Sequence, residues 1–320
     1  MKRAIALLLL TIMSLLHGAL HAQDFPNRPI RVLIPFPPGG GSDIASRTIL
    51  ELVSRNTDLQ FVAENRAGAG GNIAFVAAAG AAPDGYSLLF ATPGLAINTS
   101  LYRNAGFTQA DFTPIALVAE APLVLMIRPT LAATSVNELI GLSRAAPDAI
   151  RFGSAGNGSS SHLASEVLKS MTNLQYLHVP YKSSIAAMSD VVAGRIDMTV
   201  QPLSESIPFV RDGRMRALAL TGAQRSLALP EVPTMQEQGV AGYSVATWYM
   251  LVGPAQLPAP IVAKLYAAFA KVLAMPATVD ALADKGIVVI NGSPAQARTF
   301  LAQQTERWAD IIRKSAITVD

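Results

Sequence analysis

Two loops in this sequence place glycines and hydroxyls where a helix is about to begin. Pro35-Phe36-Pro37-Pro38-Gly39-Gly40-Gly41-Ser42-Asp43 and Gly153-Ser154-Ala155-Gly156-Asn157-Gly158-Ser159-Ser160-Ser161 each follow a β-rich run and precede a helical pattern. Glycines let the backbone approach a ligand closely, and the first turn of a helix presents unpaired N–H groups at the positive end of its dipole. Such a loop is a ready anion site. Ser42, Ser154, Ser159 and Ser160 add hydroxyl donors that suit a carboxylate as well as a phosphate. The competing reading is that these residues only cap helices and close turns, with Ser42 and Asp43 serving as the N-cap. Two such loops in one chain favour a ligand over the caps.

Other chemistry is thinner. Thr92 follows the strand-like Tyr86–Ala91, at the carboxyl edge where open α/β sheets hold ligands. Tyr181 and Lys182 also follow a strand, and Lys182 is either solvated or paired with a distal acid. Gln201 ends a strand and either donates its amide to a ligand or bonds backbone. Trp248 faces a cleft or fills core. His162, beside Ser159 and Ser160, allows a secreted Ser/His hydrolase as an alternative, but no serine has the G-x-S-x-G elbow. Nucleotide binding is excluded on pattern: Ser42-Asp43 stand where a P-loop has Lys and Ser/Thr, and the first loop's glycines are consecutive. With no cysteine there is no thiolate nucleophile and no cysteine-ligated metal. No cofactor and no resident metal are expected.

The elements that must position these groups alternate. Ile30–Pro35, Gln60–Glu64 and Tyr86–Ala91 read as strands, separated by a helix that carries Ala45, Ile49, Leu52 and Val53 on one face and by a small-residue helix over Asn72–Ala82. The pattern restarts: strands at Leu123–Ile127, Arg151–Ser154, Gln175–Val179, Ile196–Val200 and Met215–Thr221, with helices over Val136–Ala145, Leu163–Met171 and Ser184–Ala193. Strand, helix, strand in succession argues for parallel sheets with helices on both faces. After the strand-like Thr247–Val252, two or three helices from Pro260 to Lys314 have no third sheet to join and must pack back on an existing unit. Crossings near Glu120–Pro122 and Gly242–Ala246 then leave a cleft between two lobes. The expected division is lobe 1 over 23–121 plus 247–320 and lobe 2 over 122–246.

The chain has 320 residues, 25 Lys+Arg against 22 Asp+Glu, and 51% hydrophobic residues. Its first 22 residues read as a signal peptide: basic Lys2 and Arg3, an apolar stretch from Ala4 to Leu16, then a polar-to-small segment ending at Ala22. Cleavage there removes two basic residues and no acid, so 23 bases face 22 acids. It also removes His17 and His21, leaving His162 and His178. Such a balance excludes the dense basic patch that nucleic-acid backbone recognition needs. A soluble, exported protein is expected.

With these residues assembled, the sequence resembles the solute-binding proteins of the tripartite tricarboxylate transporter family, the Bug receptors. The likeness runs from about Phe25 to the C-terminus, through PNRPIRVLIPFPPGGGSD (Pro26–Asp43), ENRAGAGGNIA (Glu64–Ala74), APDGYSLLFAT (Ala82–Thr92), DFTPIALVAEAPLVL (Asp111–Leu125), FGSAGNGSSSHLASE (Phe152–Glu166), HVPYK (His178–Lys182), RSLALPEVPTMQEQGV (Arg225–Val240) and the WYMLVGPAQLP block (Trp248–Pro258). The resemblance implies an α/β periplasmic binding protein fold of two lobes, each a mixed sheet flanked by helices and joined by two hinge crossings. It implies a periplasmic, non-enzymatic monomer that captures a small organic carboxylate, a di- or tricarboxylate or an aromatic acid, and delivers it to membrane permease subunits. A sensor role toward a membrane histidine kinase is a further alternative. The implied ligand-binding set is Phe36, Gly40, Gly41, Ser42, Asp43, Thr92, Ser154, Asn157, Ser159, Ser160, Tyr181 and Gln201, with bridging water and few charged side chains. Two positions depart from the family pattern: Ser183 stands where glycine usually follows Tyr-Lys, and Gln201-Pro202-Leu203-Ser204 replaces an Asp-Asn before Leu-Pro.

Overall fold

The structure, a computed structural model of the chain, describes residues 25–146 and 149–315. The expected signal peptide at 1–22 lies outside them.

The first half opens on three short strands, Ile30–Ile34 (β1), Phe61–Asn65 (β2) and Ser87–Ala91 (β3), with β1 parallel to both neighbours. In β1 Ile30, Val32, Leu33 and Ile34 are all buried and only Arg31 is half-buried, as a strand covered on most of both faces requires. Three helices accompany these strands: Gly41–Asn56 (α1), Asn72–Ala79 (α2) and Gly94–Leu101 (α3). In α1, Ala45, Ile49 and Val53 recur every four residues and are completely buried, while Leu52 is half-buried at the edge of that face.

Phe112–Ile127 (β4) is a single strand of 16 residues. Only its last part, Leu123–Ile127, reads as a strand from sequence, because Pro114 and the Glu120–Pro122 crossing interrupt the apolar pattern. Beyond it come Val136–Ala145 (α4), Arg151–Ser154 (β5), Ser160–Thr172 (α5), Leu177–Pro180 (β6), Ser184–Val192 (α6), Met198–Pro202 (β7), Leu203–Arg211 (α7) and Arg216–Leu220 (β8). The chain ends with Ala246–Pro254 (β9), Ala259–Leu273 (α8), Pro276–Ala283 (α9), Val288–Gly292 (β10) and Pro294–Ser315 (α10).

Pairing gives the order β2-β1-β3-β9-β4-β7-β5-β6, with β8 and β10 also on β4. β4 joins the two lobes. Up to Pro122 it pairs antiparallel with β9, and β10 lies against Leu117–Glu120. From Leu123 onward it pairs with β7 and, from Val124, with β8. In the second lobe β5 runs parallel to β6 and β7, so each lobe holds a parallel core with antiparallel strands added. The two crossings sit side by side, since Ala121 faces Thr247 and Pro122 faces Ala246. α10 returns to the first half and packs on α3 and β4. β10 was not expected among the C-terminal helices; its exposed Val288 and Ile290 give a short edge strand rather than an apolar run.

Candidate functional site

The first glycine loop ends in α1, whose N-cap is Gly40, without a side-chain cap. The reading of Ser42 and Asp43 as N-cap is therefore corrected. Asp43, inside the first turn, reaches back instead: its Oδ2 accepts from the Gly39 N–H at 3.0 Å, and its Oδ1 from Arg47 Nε at 2.7 Å and Asn65 Nδ2 at 2.8 Å. Burial works against its charge, but the Gly39, Asn65 and Arg47 donors prevail and hold the carboxyl below its ordinary value. Asp43 thus shapes the loop from behind. Ser42 Oγ, freed from capping, is buried with no partner in the protein.

The second loop ends in α5. Ser159 caps it, accepting from the His162 N–H at 3.3 Å while donating to the Gly156 carbonyl at 2.6 Å. Ser160 donates to Thr247 Oγ1 across the crossing at 3.1 Å. Gly158 has φ +77°, and a Cβ there would lie 2.5 Å from Asn98 Oδ1, so only glycine lets this loop meet α3. The carbonyl of Asn157 accepts from Tyr102 OH at 3.1 Å in the same contact.

Between the loops lies a small cavity. Of the residues expected to bind ligand, Phe36, Gly40, Gly41, Ser42, Thr92, Ser159, Ser160 and Gln201 line it. Asp43, Ser154, Asn157 and Tyr181 stand outside the lining. Ser154 Oγ bonds His178 Nε2 at 2.7 Å, and Tyr181 donates to Asp190 Oδ2 at 2.7 Å. Lys182 is exposed and Trp248 is core, packed edge-on against Phe300.

The lining also contains Ser183, one of the departures from the family pattern, and residues that the sequence does not single out for it: Ser161, Ser184, Glu205, Thr247 and Tyr249. Glu205 is 3% exposed, in the first turn of α7. Its Oε2 accepts from Ser184 Oγ at 2.7 Å, and burial pushes its carboxyl up to about 8 despite that bond and one from the Gly41 N–H. Burial, then the neighbouring Glu205, raises the Tyr249 phenol as well. The signal that could have found Glu205 was a charged residue three positions after Pro202, at the start of a helix that Pro208 concealed.

Ten buried side-chain polar atoms among the described residues have no hydrogen-bond partner, and six belong to this lining: Ser42 Oγ, Thr92 Oγ1, Ser161 Oγ, Gln201 Oε1, Glu205 Oε1 and Tyr249 OH. Buried polar groups are ordinarily satisfied, so a cluster of orphans around one cavity marks a place where a polar molecule completes them. No Lys, Arg or His lines it. Positive potential comes instead from the first turns of α1, α5, α6 and α7, all of which contribute lining residues.

The hydrolase geometry is missing. Neither Ser159 nor Ser160 directs its hydroxyl to the His162 ring, whose Nδ1 accepts from the Gly158 N–H. The rings of His162 and His178 stack 4.4 Å apart, and burial lowers each to about 4.

Residues 46–317 match the model of the tripartite tricarboxylate transporter family receptor. BugT of Bordetella pertussis is 32% identical over 297 residues, 92% of this chain and 91% of that protein. Among solved structures, Rpa4515 of R. palustris with adipate superposes with TM-score 0.88 at 34% identity, covering 92% of this chain and 99% of that one. MatC from Rhodopseudomonas palustris with bound malate gives 0.84 at 29% identity, covering 90% and 100%. A two-lobed fold, a polar interlobe cavity and these similarities converge: the chain belongs to the tripartite tricarboxylate transporter receptor family, periplasmic solute-binding proteins of the Bug type rather than enzymes.

Proposed function

We propose that this protein captures a small organic carboxylate in the interlobe cavity and delivers it to the permease subunits of a tripartite tricarboxylate transporter. The observation that carries the reading is the cluster of unpartnered hydroxyls on Ser42, Thr92, Ser161 and Tyr249, with the free Glu205 Oε1 beside them, set among helix first turns with no cation in the lining. Oriented dipoles and hydroxyls hold an anion without the desolvation cost of a buried lysine. That the similar proteins Rpa4515 and MatC were solved with adipate and malate fits a carboxylate here.

The residues lining the cavity bind directly; Asp43, Ser154, Asn157 and Tyr181 act by holding the two loops in shape. Residues 1–22 direct export, and the mature chain works as a monomer. Lobe 1 is 23–121 plus 247–320 and lobe 2 is 122–246, a division supported by the change of partners along β4 between Pro122 and Leu123.

A thermal-shift screen of di- and tricarboxylates, aromatic acids and amino acids tests the binding claim. Ligand at a hundredfold excess over its Kd adds about 2.7 kcal/mol of stability. Carboxylates are expected to raise the melting temperature; stabilisation by non-acidic compounds alone would sink the reading.

A further inference from the structure

The one carboxyl in the lining is out of place in a site for anions. Glu205 is buried, its Oε2 accepts from the Ser184 hydroxyl, and the Gly41 N–H donates to the same carboxyl, whereas Oε1 has no partner in the protein. No cation among the lining residues balances it. An ionised Glu205 and an ionised ligand in one small cavity repel, and two such carboxylates do not both stay charged. The groups facing Glu205 cannot compensate: α1 and its N-cap offer Gly41 and Gly40, α6 offers Ser184, and β9 offers Tyr249, the one titratable neighbour, whose phenol is held neutral. Asp43, the charged residue in the first turn of α1, is turned toward Gly39, Asn65 and Arg47.

We infer that Glu205 is the specificity-determining donor of this site: its Oε1 carries a proton and gives a hydrogen bond to a carboxylate oxygen of the ligand, so that the protein selects acids over the matching amino acids. The inference rests on the reading that the cavity takes a carboxylate. Geometry divides the carboxyl into an accepting Oε2, engaged by Ser184, and a free Oε1 on a side chain that lines the cavity. The burial that raises the group to about 8 keeps the proton on at neutral pH. A ligand ammonium placed against Oε1 would meet the proton of the Glu205 hydroxyl instead of a carboxylate. The proton moves nowhere during binding, so capture of the anion needs no general base.

Matched pairs test this: malate against aspartate and adipate against 2-aminoadipate, titrated calorimetrically into the intact protein from about pH 6 to 9.5. Wild type is expected to prefer the plain acid by about tenfold or more, with affinity falling above pH about 8 as Glu205 ionises. Glu205→Gln, an uncharged isostere that keeps a donor, is expected to hold the acid within about threefold and to abolish that alkaline decline. Glu205→Ala is expected to lose about tenfold or more, with circular dichroism reporting the fold. A wild type that prefers aspartate, together with loss of that binding in Glu205→Gln, would show an ionised acceptor and overturn the inference. An alkaline decline that persists in Glu205→Gln would overturn it too. Binding of no acid or amino acid by wild type is a separate outcome that removes the carboxylate reading itself.

Discussion

At the scale of single residues, the site is divided between groups left open and groups that hold them. Asp43 belongs to the second kind. Its carboxylate ties Gly39, Arg47 and Asn65 together behind the first loop, so Asp43→Ala should cost about 1–3 kcal/mol in chemical denaturation and weaken ligand binding although Asp43 is absent from the lining. Because its folded pKa is depressed, this contribution is present above the ordinary carboxylate range and is lost as pH falls through the lowered value. The stacked His162 and His178 follow the same sign: buried and neutral, they contribute fully above their ordinary value of 6.5 and progressively less as pH falls toward about 4. A denaturation midpoint that drops over that window, with the drop reduced in His162→Gln, is the expected result; an unchanged profile in the variant would show that other groups carry it. Ser42 was legible in the sequence at a helix start after a glycine loop, and Thr92 and Gln201 at the carboxyl ends of strands. Ser154 and Tyr181 stand at the ends of β5 and β6 and were legible in the same way, yet they bond His178 and Asp190 instead of lining the cavity.

At the scale of elements, four helices begin at the cavity, and the fit between α1 and α7 decides whether the lobes can meet. A Cβ on Gly41 would lie 2.7 Å from Pro202 Cβ, closer than carbon atoms approach. Gly41→Ala should therefore oppose closure and weaken carboxylate binding by about tenfold or more in calorimetry while leaving the melting temperature of the unliganded protein nearly unchanged. Undiminished affinity would mean that α1 and α7 need not meet. The strands β1 and β3 and the helix α1 stood out because largely apolar runs and a four-residue spacing have no other good use. α7 did not: it is nine residues long, starts directly from β7 and contains Pro208, and a proline read in isolation ends helices. Missing α7 meant missing Glu205, so one local ambiguity hid the most unusual group in the site. The prolines of β4 mask its length in the sequence, and the strand accommodates Pro114 beside an irregularity in its pairing with β9.

For the whole molecule, the claim is that a charged ligand is held by a cavity without cationic side chains. The formal charge of +3 on the full chain carries no information about this, because the relevant field comes from where helices start and where hydroxyls are left unpartnered. Paired crossings on β4 and β9 leave the lobes joined along one edge and in contact through Gly41 and Pro202 on one side and Asn157 and Tyr102 on the other. Ligand bridging both lobes favours the closed form by its differential affinity, so small-angle scattering should report a smaller radius of gyration with the best acid of the screen than without it. The most direct measurement is a crystal structure with that acid bound. Its carboxylate oxygens are expected within hydrogen-bond distance of the hydroxyl of Ser42, Thr92, Ser161 or Tyr249 and of Glu205 Oε1, between the first turns of α1 and α5. An acid found outside this cavity, or inside it against none of these atoms, would contradict the account.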